Sequence, residues 1–81
     1  MDLEKEQKRG IKAKQILEDE IFVEAIQKVS VELDQEWLNS PVRDTEGREK
    51  IYMMKKMLNV LLVQLQSVME TGKLASKQIN K

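Results

Sequence analysis

Clustered carboxylates are the residues of this chain whose types and spacing come nearest to chemistry. The acids form two clusters, Glu18, Asp19 and Glu20 and, further along, Glu32, Asp34 and Glu36. A hydrolytic or metal site built from acids needs carboxylates that face each other from two helices, commonly together with histidine. The chain has no His and no Cys. We therefore expect a protein that is not an enzyme, with no metal site and no cofactor.

A group of cations near the start of the chain could contact phosphate. If this stretch is helical, one side of it carries Lys5, Lys8, Arg9 and Lys12. Lysine and arginine in such a row are typical of a nucleic-acid contact. However, acids are interleaved with them, Lys+Arg and Asp+Glu are both 14, and only 4% of the residues are aromatic. A nucleic-acid partner is therefore not expected, and the role of a packaging or regulatory accessory is kept as an alternative.

The elements that must position these residues are helices. The chain is rich in Glu, Lys, Gln, Leu, Ile and Met, and it has only 3 Gly and 1 Pro. Pro41 disfavours helix before it, Asp44 or Thr45 is a good N-cap, and Gly72 is a plausible C-cap. We expect an all-α single domain, 1–81, of two long antiparallel helices (a helical hairpin). Its parts are a charged N-terminal arm at 1–10, helix one at 11–39, a loop at 40–45, helix two at 46–71 and a polar tail at 72–81.

Helix one is predicted to bury one broad apolar face. At 100° per residue, that face collects Ile11, Leu17, Ile21, Phe22, Ala25, Ile26, Val29, Leu33 and Trp37. Trp37 ends the face near the turn. It is either a core anchor over the loop or a hot spot of an interface, where tryptophan is enriched.

Helix two has a sharper pattern and more apolar surface than one neighbour can cover. The spacing is 3, 4, 3, 4, 3, 4 for Ile51, Met54, Leu58, Leu61, Leu65, Val68 and Gly72, an unbroken heptad pattern. Met57 widens this seam, whereas Met53 and Val60 lie away from it. The methionines Met53, Met54, Met57 and Met69 are either core or an adaptable groove for a partner. Assembly into a helical bundle oligomer is therefore expected. The predicted interface is Ile51, Met53, Met54, Met57, Leu58, Val60, Leu61, Leu65, Val68 and Trp37.

Charge and hydropathy fit an antiparallel pair that does not enter a membrane. Residues 1–39 hold 10 acids and 6 bases, a net of −4, and residues 40–81 hold 4 acids and 8 bases, a net of +4. Such complementary halves bias partner and orientation, although each exposed ion pair contributes only about 0.2–1 kcal/mol. The longest uncharged run, 57–69, is too short to span a bilayer.

Three stretches together resemble a group of short helical proteins encoded by tailed bacteriophages. They are Arg9-Gly10-Ile11-Lys12-Ala13-Lys14-Gln15-Ile16-Leu17-Glu18-Asp19, the loop with Asn39-Ser40-Pro41 and Asp44-Thr45-Glu46-Gly47-Arg48-Glu49, and Met69-Glu70-Thr71-Gly72-Lys73-Leu74-Ala75. The resemblance spans most of 9–75, and the loop is its most specific part. It implies a phage-encoded protein made in the host cytoplasm, with a virion or assembly role. It carries over no catalytic residues.

The function expected from the sequence is that of a non-enzymatic structural or interaction protein. It would act through helix–helix contacts, with itself as the main partner and a phage or host protein as a further one. Two alternatives stay open: the nucleic-acid-associated accessory, and a small inhibitor of a host protein that presents the acidic face.

Overall fold

The structure, a computed structural model that describes residues 2–80, is made of three α-helices. They are α1 (Leu3–Glu18), α2 (Glu20–Asn39) and α3 (Thr45–Ile79), with no strand in the described range. This confirms the all-α class, although three helices stand where two were predicted. The outermost residues of the predicted arm 1–10 and tail 72–81 lie outside the described range.

Both α1 and α2 run antiparallel to α3. Near the start of α1, Gln7 Nε2 donates a hydrogen bond to Ser76 Oγ in the last turns of α3, at 3.2 Å. In α2, Asp34 Oδ1 lies 2.7 Å from Lys55 Nζ in the first half of α3. The packing of α1 against α3 is much more extensive than that of α2 against α3. The molecule is therefore a long helix with one close neighbour along its C-terminal half and a looser one along its N-terminal half.

The prediction of one continuous helix over 11–39 is wrong, because the helix is interrupted at Asp19. This residue is extended (φ −63°, ψ 128°), and it caps both of the helices that it separates. Its backbone N–H donates to the Ile16 carbonyl at 3.2 Å, and its side chain accepts from the Phe22 N–H at 2.8 Å. Its own carbonyl accepts from the Val23 N–H at 2.9 Å.

The buried positions of α1 and α2 explain why the helix has to break. Ala13 and Leu33 are both buried. They are twenty residues apart, which is about 5.6 turns of α-helix, so on a continuous helix they would face nearly opposite sides. The single apolar face predicted for helix one is therefore two faces, and Ile11 and Ile21, which were assigned to it, are exposed.

Residues 3–10 of the predicted charged arm form the first half of α1. Asp2 is its N-cap, and its carboxylate accepts from the backbone N–H groups of Glu4 and Lys5 at 3.1 and 3.2 Å. Such a cap satisfies donors that the first turn of a helix leaves free. Gly10, the last residue of the predicted arm, lies buried inside the helix.

A residue larger than glycine does not fit at position 10, because the backbones of α1 and α3 touch at this point. A Cβ atom added to Gly72 would lie 2.5 Å from the Gly10 Cα, and one added to Gly10 would lie 2.6 Å from the Gly72 Cα. The buried Ala13 and Ala75 are the next small residues, three positions beyond each glycine. The contact brings the two helix axes closer than larger side chains permit.

The predictions of a C-cap at Gly72 and a polar tail at 72–81 are wrong for the same reason. Helix α3 continues to Ile79, and no described glycine has a positive φ. At the other end, the expected N-cap is confirmed. Asp44 Oδ1 accepts from the Gly47 N–H at 2.9 Å, and the helix begins at Thr45.

We expect the Gly72→Ala substitution to destabilise the fold. Alanine is the better helix former by about 1 kcal/mol, but the new methyl group meets backbone, and overpacking costs about 1–3 kcal/mol. Urea unfolding followed by circular dichroism measures the balance. Asn59→Ala, on an exposed position of the same helix, is the control and should be neutral or stabilising. A midpoint for Gly72→Ala at or above that of the control would contradict the glycine contact.

We expect Asp19→Ala to lower the free energy of unfolding by about 0.5–2 kcal/mol, the usual cost of removing an N-cap. The substitution also favours a continuous helix through position 19. In such a helix the buried side of α1 would point away from α3 when α2 packs on it. The measurement is the urea midpoint, with Glu24→Ala on the exposed side of α2 as the control. Equal midpoints for the two variants would show that the double cap contributes nothing.

Candidate interaction surface

The protein buries little apolar surface for its size. Among the described residues, the buried apolar side chains are Ala13, Leu33 and Ala75. The accessible surface is 6738 Å², whereas a compact chain of this mass exposes about 5,000 Å². The radius of gyration is 17.4 Å, against about 12 Å for a compact chain of this length. Much of the apolar surface that the sequence supplies is therefore open to solvent.

The cause is the thinness of the molecule. Its extents are 58 × 25 × 14 Å, and one helix with its side chains is about 10–12 Å across. Within residues 2–80, no helix beyond α1, α2 and α3 is present to cover the broad sides of this thin molecule. Small domains without disulfides or metal commonly gain the missing stabilisation by association.

One row of residues along α3 shows where the cover ends. Met54, Leu61, Val68 and Ala75 are spaced by seven and lie nearly in line along the helix. Ala75 is 3% exposed and Val68 is half-buried, whereas Leu61 is 50% and Met54 is 53% exposed. The same side of α3 is therefore covered in its C-terminal half, where α1 packs, and uncovered in its N-terminal half.

The structure divides the ten residues predicted as an interface into two groups. The half-buried ones, which face the other helices of the same chain, are Ile51, Leu58, Leu65, Val68 and Trp37. The exposed ones are Met53, Met54, Met57, Val60 and Leu61. At 100° per residue, the second group lies within an arc of about 120° on α3. We call this second group the open face.

Trp37 belongs to the connection between α2 and α3. The guanidinium of Arg48 stacks over its ring, 4.1 Å from the centroid. Arg48 Nη1 also donates to Ser40 Oγ at 3.1 Å, and Ser40 Oγ donates to the Trp37 carbonyl at 2.6 Å. The core-anchor interpretation of Trp37 therefore accounts for its contacts within the chain.

The four predicted phosphate contacts lie together on α1. Lys5, Lys8, Arg9 and Lys12 line one shallow depression of the surface. Asp2 and Glu4 line the same depression, and Arg9 Nη1 lies 3.6 Å from Glu6 Oε1. The structure gathers the cations on one exposed side but interleaves them with acids, as the sequence indicated.

One residue of each acidic cluster makes a structural contact within the chain. Asp19 of the first cluster is a helix cap, and Asp34 of the second is paired with Lys55. Within residues 2–80, no group of three or more acids is arranged to hold a metal ion.

The packing role of the two glycines was not predicted from the sequence. A signal was present, because the same pattern, glycine followed three residues later by alanine, occurs at Gly10 and Ala13 and again at Gly72 and Ala75. Small residues three apart on two helices permit a close approach of their backbones.

Comparison with known proteins found no matching family model, no matching curated protein and no matching solved structure. Among the described helices, none is long and apolar enough to cross a membrane.

We expect Arg48→Ala to loosen the connection between α2 and α3. The loss of one stacked cation and one hydrogen bond lowers the free energy of unfolding by about 1 kcal/mol. Because Trp37 is the only tryptophan, its fluorescence reports on this point alone, and its emission should shift to longer wavelength. Arg48→Lys keeps the charge without the planar guanidinium group. Its emission wavelength and its free energy of unfolding should lie between those of the wild type and of Arg48→Ala. An unchanged emission spectrum in Arg48→Ala would contradict the stacked arrangement.

Proposed function

We propose that this chain is a non-enzymatic structural protein that assembles with copies of itself through helix–helix contacts into a helical bundle. The observation that carries the proposal is the surface that the single chain leaves uncovered. Its accessible surface of 6738 Å² exceeds that of a compact monomer by about 1,700 Å². A standard interface removes about 800 Å² from each partner, so the excess is enough for at least one such contact.

The chemistry of the uncovered surface supports assembly as well. The exposed large apolar residues include three methionines of the open face, Met53, Met54 and Met57. Methionine adapts its shape to a partner, and an exposed apolar patch marks an interaction surface. The resemblance to short helical phage proteins supports placing this assembly in the virion or its construction, in the host cytoplasm.

A nucleic-acid-associated role is the second candidate, because α1 brings Lys5, Lys8, Arg9 and Lys12 to one exposed side. The small excess of positive charge argues against this role, since α1 as a whole has five bases and three acids. We therefore place this role behind assembly.

The test of the proposal is the native molar mass by light scattering on a sizing column, at two protein concentrations. We expect a multiple of 9.5 kDa and a melting temperature that rises with concentration, because association stabilises the folded state by mass action. A folded protein of 9.5 kDa at both concentrations would overturn the proposal.

The same column run with an added DNA duplex tests the second candidate. Co-elution that weakens steeply as salt is raised would support a phosphate-contacting role. Separate elution at low salt would exclude it for duplex DNA.

A further inference from the structure

We infer that the second copy of the chain packs on the open face of α3, the side that α1 leaves uncovered. The inference rests on the proposed assembly and adds the surface and its occupant. It starts from the row Met54, Leu61, Val68 and Ala75, in which one continuous side of α3 is buried at one end and exposed at the other.

The sizes of the side chains along α3 indicate a different kind of neighbour at each end. Where α1 packs, the residues are Gly72 and Ala75, and the backbones nearly touch. On the open face, Met54, Met57 and Leu61 are large and 50–60% exposed. Side chains of this size suit an ordinary helix–helix distance of about 8–10 Å. The open face therefore has the composition of a packing surface that lacks its helix.

No described part of this chain is free to supply that helix. Helices α1 and α2 are both held against α3, and the residues between α2 and α3 are only 40–44. The short connection carries the cap of α3 and the support of Trp37. Within residues 2–80, no helix is therefore left to pack on the open face.

Charge favours a copy of this chain as that occupant. Helix α2 has five acids and one base, a net of −4, whereas α3 has six bases and three acids, a net of +3. The chain as a whole is neutral, so two copies do not repel one another at long range. Each copy offers both signs, so when the open faces of two copies pack on one another, the acidic α2 beside each face lies near the basic α3 of the other copy.

The test compares two aspartate substitutions on opposite sides of α3. Leu61 is 50% exposed on the open face, and Val63 is 47% exposed about 200° further round the helix. We expect Leu61→Asp to raise the dissociation constant of the assembly at least about tenfold, because a carboxylate cannot be buried without a partner. Val63→Asp should leave the molar mass unchanged. Both variants are measured by light scattering, with helicity followed by circular dichroism.

A second measurement keeps the inference testable if an aspartate variant unfolds. Because the chain has no cysteine, Met57→Cys and Asn59→Cys each introduce a single thiol, again about 200° apart on α3. A short flexible bis-maleimide should join two chains through position 57 and not through position 59.

The outcomes separate the inference from the proposed function. Cross-linking at 57, with dissociation by Leu61→Asp alone, supports the inference. Assembly that survives Leu61→Asp, or cross-linking at 59 in preference to 57, overturns the surface while leaving self-assembly in place. If both aspartate variants dissociate, the cross-linking pattern decides. A monomeric wild-type chain overturns both.

Discussion

The close contact of Gly10 with Gly72 is the constraint on which the rest of this structure depends. With a hydrogen in place of a side chain on both residues, the backbones of α1 and α3 meet directly. That fixes α1 along the C-terminal half of α3. Helix α1 has 16 residues and α3 has 35, which corresponds to about 24 and 52 Å. The N-terminal half of α3 must therefore be covered by something other than α1.

Helix α2 covers that half only in part, and the reason lies in its phase relative to α1. The helix is interrupted at Asp19, and this interruption turns the buried side of α2 back toward α3. A single extended residue achieves this change of direction, and its side chain and backbone N–H cap the two helix ends that meet there. The result is a helix that reaches α3 mainly through Leu33 and the Trp37 end. The open face beside it remains uncovered.

The all-α class, the connection at Pro41 and the cap at Asp44 could be predicted because each depends on residues close together in sequence. The shared glycine–alanine spacing was a signal for the roles of Gly10 and Gly72, but it was not decisive. A glycine near an expected helix end is equally suited to a C-cap, and its actual role depends on a residue far away in the chain. Asp19 was concealed in a similar way: between two glutamates it reads as part of an acidic cluster. The open face was predicted in composition but not in extent, since half of the proposed interface packs within the chain.

The size of the residues along α3 connects the fold with the proposed function. A chain whose only requirement was to fold alone would gain by placing polar residues at the exposed positions of the row that α1 buries further on, because exposed methionine and leucine contribute little to a monomer and favour aggregation. Instead, the exposed Met54 and Leu61 are apolar and continue the row to which the half-buried Val68 and the buried Ala75 belong. Folding and the proposed assembly therefore draw on one surface of one helix. The small residues at one end admit α1 of the same chain, and the large residues at the other end are those on which we propose that a second chain packs.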